Sequence, residues 1–187
     1  MVMSKSRFTC ALALIVLASA ATGAERRYNF GRPATEAEIA AWNLDVGRDG
    51  KDLPLGSGSV ERGRAVFNEK CATCHGEKGE GGLADRLVGG QGSLNTQNPV
   101  KTVGSYWPYS TTLFDYIRRA MPLNSPQSLK NEDVYAVSAF ILYLNGLVRE
   151  TATLDAKSLS VIKMPNRNGF VSDPRPDIRL KTCMRGC

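Results

Sequence analysis

The most regular hydrophobic pattern in the chain lies between residues 132 and 144. Val134, Val137, Ile141 and Leu144 recur at the spacing that places side chains on one face of an α-helix. This spacing predicts an amphipathic helix that packs its apolar face against another element. It is the strongest helix signal in the sequence.

A second helix is predicted over residues 60–70. Ser59 precedes it with a side chain suited to capping a helix N-terminus, and Glu61 lies in the first turn, where an acid is favourable. Gly63 lowers the helix propensity of this segment, and a glycine at such a position indicates the close approach of another backbone. We therefore expect this helix to cross the helix over residues 132–144.

Two shorter helices are also predicted. Thr35 and Glu38 form a capping box at the start of the first, which covers residues 35–42. The second runs from residue 111 or 112 to residue 119 and ends at the Met121-Pro122 dipeptide, because proline cannot continue a helix.

These elements predict an all-α protein with one principal domain. The domain should cover residues 59–146, preceded by an N-terminal extension over residues 25–58. Residues 147–187 form a tail that is rich in proline, asparagine and glycine but contains too many apolar residues to be disordered throughout. We expect most of this irregular C-terminal tail to wrap the domain.

The first 24 residues have the pattern of a secretory signal peptide. Lys5 and Arg7 precede an apolar run over residues 11–17, and small residues lead to cleavage after Ala20 or Ala24. The run is short for a membrane span, so a retained anchor is the weaker alternative. We expect a periplasmic protein with no membrane span after processing.

The net charge of +6 makes the chain mildly basic. Lysine and arginine are not concentrated in clusters, so nucleic acid is not predicted as a partner. The charge instead favours encounter with acidic protein surfaces.

Candidate chemistry is concentrated in Cys71-Ala72-Thr73-Cys74-His75. C-x-x-C-H is the attachment signature of c-type haem, in which two thiols bind the haem vinyl groups and the histidine reaches the iron. One helical turn separates the thiols and brings them to one edge of the porphyrin.

A redox-active dithiol, a structural disulfide or part of a zinc site are the alternatives for this cysteine pair. Zinc is disfavoured because His75 is the only histidine in the chain and Cys183 and Cys187 lie at the C-terminus. A dithiol oxidoreductase is disfavoured because no βαβ pattern surrounds the pair.

The single histidine limits the choice of a distal iron ligand. Bis-histidine ligation within one chain is impossible, so the sixth position falls to methionine, to another weak ligand or to an open site. Met121 is favoured, because it follows a helix at a distance from His75 that leaves room for a loop around the haem. After removal of the predicted signal peptide, the other methionines are Met164 in the irregular tail and Met184 between the terminal cysteines.

Several other residues have candidate roles. The run Tyr106-Trp107-Pro108-Tyr109 is predicted to wall the haem pocket, with simple packing as the alternative. Arg86, Arg118 and Arg119 are possible partners of haem propionates or solvated side chains. Cys183 and Cys187 are expected to form a small disulfide loop, with free thiols or an intermolecular bridge as alternatives.

Together these residues resemble class I cytochrome c. The resemblance is carried by Gly63 and Phe67 in the N-terminal helix, the C-x-x-C-H run, Met121-Pro122, and the apolar C-terminal helix that contains Tyr143. It implies a class I cytochrome c fold with one covalently attached haem c, bound by Cys71 and Cys74, with His75 proximal and Met121 distal.

More narrowly, the chain is similar to the cytochrome subunits of periplasmic sulfur-oxidation enzymes that partner molybdenum-containing sulfite or sulfane dehydrogenases. The stretches that carry this similarity are residues 99–109, leading into 114–122, and residues 163–170, 173–177 and 183–187. Some members carry two haems, whereas this chain has one C-x-x-C-H motif and one histidine.

The resemblance implies an electron-transfer subunit that does no bond chemistry alone. It would accept single electrons from the molybdenum dehydrogenase and pass them to a downstream acceptor. A general carrier for another dehydrogenase or oxidase, and a haem-based sensor with an open sixth position, are the alternative functions.

Overall fold

The computed structural model describes residues 30–175. The predicted signal peptide, Cys183, Met184 and Cys187 lie outside the described residues. The chain divides into two units, residues 1–40 and 41–187. None of the described helices is long and apolar enough to cross a membrane.

The capping box predicted near residue 35 is confirmed. Helix α1 (Glu36–Trp42) begins after Thr35, whose backbone N–H donates to the Glu38 carboxylate at 2.8 Å, while the Glu38 N–H donates to Thr35 Oγ1 at 3.3 Å. The guanidinium of Arg32 pairs with the same carboxylate. Hydrogen bonds from Arg32 and then Thr35 lower the pKa of Glu38 to about 2.

The larger unit is mostly helical. Its elements are strand β1 (Ser57–Ser59), helices α2 (Val60–Lys70), α3 (Ala72–His75), α4 (Ser110–Ala120) and α5 (Asn131–Leu144), strand β2 (Thr153–Asp155) and helix α6 (Ala156–Ser160). The two strands pair antiparallel, with Gly58 opposite Leu154. The three helices predicted here from the sequence all form, each within one or two residues of the expected bounds.

Helices α2 and α5 cross at Gly63, as predicted. Ser59 caps α2 by accepting the Arg62 N–H at 3.2 Å. A Cβ atom added at Gly63 would overlap the carbonyl oxygen of Ala136 and lie 2.9 Å from the Cβ of Phe140. The rings of Phe67 and Phe140 meet edge to face at the same crossing, with centroids 5.3 Å apart.

We expect Gly63→Ala to lower the free energy of unfolding of the haem-loaded protein by about 2 kcal/mol, because the added methyl group forces the two backbones apart. At an exposed glycine in a helix, the same change raises the free energy of unfolding. Urea unfolding measures the difference, with Asn68→Ala on the exposed face of α2 as the control. A Gly63→Ala protein as stable as the parent would show that the backbones are not closely packed.

Part of the C-terminal tail is integral to the core. Leu154 in β2, Leu159 in α6 and Met164 are at most 4% exposed. The Ser110 hydroxyl donates to the Leu159 carbonyl at 2.7 Å and so fixes the start of α4 against α6. Strands β1 and β2 were not predicted, because three residues are too few to show an alternating pattern.

Candidate haem site

The cysteine pair lies on a single turn directly after α2. The Cys71 N–H donates to the Phe67 carbonyl at 2.8 Å, which ends α2, and the N–H groups of Cys74 and His75 both donate to the Cys71 carbonyl, at 3.1 and 3.0 Å. Side chains three residues apart on such a turn share one face. The structure therefore brings both thiols and the imidazole together as the sequence predicted.

The two thiols differ in their surroundings. Cys71 is half-buried and packs against the hydrophobic core, whereas Cys74 is exposed, and neither is in a disulfide. Burial, and secondarily the charge of Cys74, raise the pKa of the Cys71 thiol to about 11. The free Cys71 side chain is therefore a neutral thiol at neutral pH.

His75 is oriented through one of its two ring nitrogens. Its Nδ1 lies 2.8 Å from the carbonyl oxygen of Asp85. Because a carbonyl can only accept a hydrogen bond, Nδ1 carries a proton, and in the neutral imidazole Nε2 then keeps its lone pair. A carbonyl bound to the second nitrogen is the usual support of a metal-ligating histidine.

The loop that supplies the Asp85 carbonyl folds back onto the cysteine turn. The Gly81 N–H donates to the His75 carbonyl at 2.7 Å, and the Ala84 N–H donates to the Cys74 carbonyl at 2.8 Å. Gly76 has a φ of 80°, which allows the chain to reverse directly after His75. The loop and the motif therefore form one hydrogen-bonded unit.

Asn145, at the end of α5, holds the next part of this loop. Its amide nitrogen donates to the carbonyls of Leu87 at 3.2 Å and Ile141 at 2.9 Å, and its Oδ1 accepts the Gly89 N–H at 3.1 Å. The side chain is 7% exposed. The sequence analysis missed this residue, and the only signal for it was a polar residue directly after an apolar helix.

We expect Asn145→Ala to lower the free energy of unfolding by about 2–3 kcal/mol, because the Leu87 carbonyl and the Gly89 N–H lose their buried partner. Hydrogen exchange at Gly89 should accelerate, since the loop is no longer tied to α5. The exposed Asn98→Ala is the matched control. Unchanged stability and exchange in Asn145→Ala would contradict the holding role of Asn145.

Met121 lies where the sequence placed it, at the end of α4. Its N–H donates to the Ile117 carbonyl at 3.1 Å, and its backbone is extended, with φ −117° and ψ 146°. The side chain is half-buried and packs against the same core as Cys71. Met164 is 2% exposed within that core.

The aromatic side chains of residues 106–109 contact two different regions of the structure. Trp107 packs against the core and meets Tyr116 edge to face, with centroids 5.8 Å apart. Tyr106 and Tyr109 instead contact residues of the C-terminal tail. Two of the three aromatic rings therefore pack against the tail, and their predicted role as a wall of the haem pocket stays a prediction.

Two of the three candidate propionate arginines have other partners. Arg118 donates to the Leu44 carbonyl at 3.1 Å. Arg119 forms a bidentate pair with the Asp115 carboxylate, in which Nη2 lies 2.6 Å from Oδ2 and Nε lies 3.0 Å from Oδ1. The Asp115 carboxylate also accepts the Val46 N–H at 3.0 Å. Arg86 is exposed.

Comparison with known proteins identifies the family. Residues 60–145 match the family model of cytochrome c. A chain in the crystal structure of the sulfane dehydrogenase SoxCD from Paracoccus pantotrophus is 43% identical, with a TM-score of 0.77, and the match covers 86% of this chain and 82% of that chain. The chain belongs to the cytochrome c family.

A second relative is more distant. The cytochrome is 28% identical over 93 residues to the thiosulfate dehydrogenase of Stutzerimonas stutzeri (strain A1501), a match that covers 47% of this chain and 28% of the relative. The cytochrome thus spans little more than a quarter of that protein. Both comparisons relate it to components of sulfur-oxidising dehydrogenases.

The fold and the cofactor follow from the family. The cytochrome has the class I cytochrome c fold, and its helices and small sheet agree with that fold. It carries covalently attached haem c and transfers electrons. The residues present fit this group, because two thiols share one turn beside an imidazole with an available Nε2.

Proposed function

We propose that the cytochrome accepts single electrons from a molybdenum-containing sulfite or sulfane dehydrogenase in the periplasm and passes them to a downstream acceptor. The observation that carries the proposal is the 43% identity to a chain of a sulfane dehydrogenase structure, of which the cytochrome covers 82%. Identity at this level, over most of both chains, supports a shared role as well as a shared fold.

The proposal assigns four residues to the cofactor. Cys71 and Cys74 would hold the haem through two thioether bonds, His75 would bind the iron through Nε2, and Met121 would supply a second iron ligand through its sulfur. When bound, haem c supplies an iron that gains and loses one electron. The Asp85 carbonyl fixes the ring of His75, since it accepts a hydrogen bond from Nδ1 with an N···O distance of 2.8 Å.

Methionine at the distal position suits an electron acceptor. A thioether favours the reduced iron and so raises the reduction potential relative to a second histidine. With Met121 bound, the iron would have no open position for a substrate. The cytochrome would then act as an electron-transfer subunit, with the oxidation of the sulfur compound confined to the partner.

The test is reduction of the purified haem-loaded cytochrome by a purified molybdenum-containing sulfite or sulfane dehydrogenase subunit. Sulfite, thiosulfate or another sulfur compound is the electron source, and haem absorbance is the readout. We expect reduction that requires both the dehydrogenase and the sulfur compound, with one electron taken up per chain. Reduction only by an unrelated dehydrogenase would identify a general carrier, and ready carbon monoxide binding at neutral pH would identify a sensor.

A further inference from the structure

Six residues outside the C-x-x-C-H turn form a continuous surface between two distant stretches of the chain. We call this surface the tail face; its members are Lys101, Tyr106, Tyr109, Lys163, Arg167 and Phe170. It joins the aromatic run before α4 to the tail after α6. Apart from the haem motif, these two stretches carry the similarity to the cytochromes of sulfur dehydrogenases.

Specific contacts hold the two stretches together. Tyr109 and Lys163 pair in an isolated antiparallel bridge, and the Asn166 amide donates to the Tyr106 carbonyl at 2.7 Å. The rings of Tyr106 and Phe170 meet edge to face, with centroids 5.3 Å apart. The tail face is therefore built into the fold and keeps its aromatic side chains in fixed positions.

The tail face carries three cations, Lys101, Lys163 and Arg167. The Lys101 ammonium lies 5.2 Å from the Tyr106 ring centroid, and the Arg167 guanidinium lies 4.4 Å from that of Tyr109. Neither these two residues nor Lys163 takes part in the ion pairs found among residues 30–175. The nearby Asp173 is paired with Arg175.

Exposed apolar side chains adjoin these cations. Val161 is 71% exposed, Phe170 54% and Val171 88%. Arginine and aromatic residues are the types that contribute most binding energy at protein interfaces. Fixed aromatic rings, exposed apolar groups and unpaired cations together have the composition of a protein-binding surface that selects an acidic partner.

We propose that the tail face holds an acidic surface of the dehydrogenase subunit, and this inference rests on the function proposed above. The face lies at the start of α4, whereas Met121 follows the end of that helix. Eleven residues of helix separate them by about 16 Å. The tail face would therefore retain the partner at a distance from Met121 along α4.

Charge reversal tests the proposal in the haem-loaded, full-length cytochrome. Lys163→Glu with Arg167→Glu is compared with a control of equal charge change, Lys51→Glu with Lys130→Glu, two exposed cations outside the tail face. Binding to the purified dehydrogenase subunit is measured by calorimetry at several salt concentrations. We expect binding by the tail-face variant to be more than roughly tenfold weaker and less sensitive to salt, with the control close to the parent.

Two further readouts separate retention from electron transfer. The midpoint potential and the rate of haem reduction at saturating dehydrogenase should be unchanged in the tail-face variant. Equal affinities of this variant and the control would overturn the proposal, as would self-association of the parent through the tail face in light scattering. If the parent binds the dehydrogenase without being reduced, the proposed function is wrong, and the affinities of the two variants still test the tail face. If the parent does not bind the dehydrogenase, both proposals are wrong.

Discussion

Replacing Cys71 and Cys74 together by alanine is expected to abolish covalent haem attachment. The thioether bonds require both thiols, which lie on the one turn that also carries His75. Acid solvent should extract all remaining haem from this variant and none from the parent. The measurement is the intact mass of the protein before and after extraction.

A single replacement provides a second test if the double variant does not accumulate. Cys74→Ala removes an exposed thiol and leaves the half-buried Cys71, which packs on the core. We expect this variant to keep haem through one bond and to lose it on cleavage of that bond. A double variant that still retained haem after extraction would place the attachment site elsewhere.

Met121→Ala is expected to lower the midpoint potential of the haem by on the order of 0.1–0.3 V. Axial ligands set haem potentials over a range of about 0.8 V, and loss of the thioether removes the ligand that favours reduced iron. The open position should also bind carbon monoxide readily in the reduced protein. Potentiometry and the visible spectrum with and without the gas measure both changes.

Met164→Leu is the matched control for Met121→Ala. Met164 is 2% exposed in the core, so leucine should replace it with little change in volume and a cost below about 1.5 kcal/mol. Its potential and its resistance to carbon monoxide should equal those of the parent. If Met164→Leu changed the haem spectrum and Met121→Ala did not, the distal assignment would move to Met164.

Local patterns made the helices and the attachment motif predictable. The stripe in α5 and the cap at Ser59 are local signals, and the close approach at Gly63 could be read from a glycine inside a helix. The C-x-x-C-H run is local as well, since one turn contains all its reactive groups. Each prediction depended on residues only a few positions apart.

The contacts that complete the site join distant parts of the chain. Asn145 holds Gly89 and Leu87 across 56 and 58 positions, and a single asparagine gives no periodic signal. The carbonyl that orients His75 belongs to the backbone of Asp85, so no side-chain type in the sequence indicates it. Such partners are fixed by tertiary packing, which the sequence pattern does not encode locally.

The aromatic run is a second case in which tertiary contacts could not be predicted from the sequence pattern. Its density predicts a haem-pocket wall and does not indicate that Tyr106 contacts Phe170 and Tyr109 contacts Arg167 in the tail. The position of the tail depends on the pairing of β1 with β2, which brings residues 57–59 beside residues 153–155. Strands of three residues leave too little pattern to predict this pairing.

A crystal structure of the haem-loaded cytochrome, with the iron located by anomalous scattering, would show haem attachment and iron ligation directly. We expect one iron per chain, thioether bonds at Cys71 and Cys74, Nε2 of His75 on one side and the sulfur of Met121 on the other. A different residue, or an open position, opposite His75 would show that Met121 is not the distal ligand.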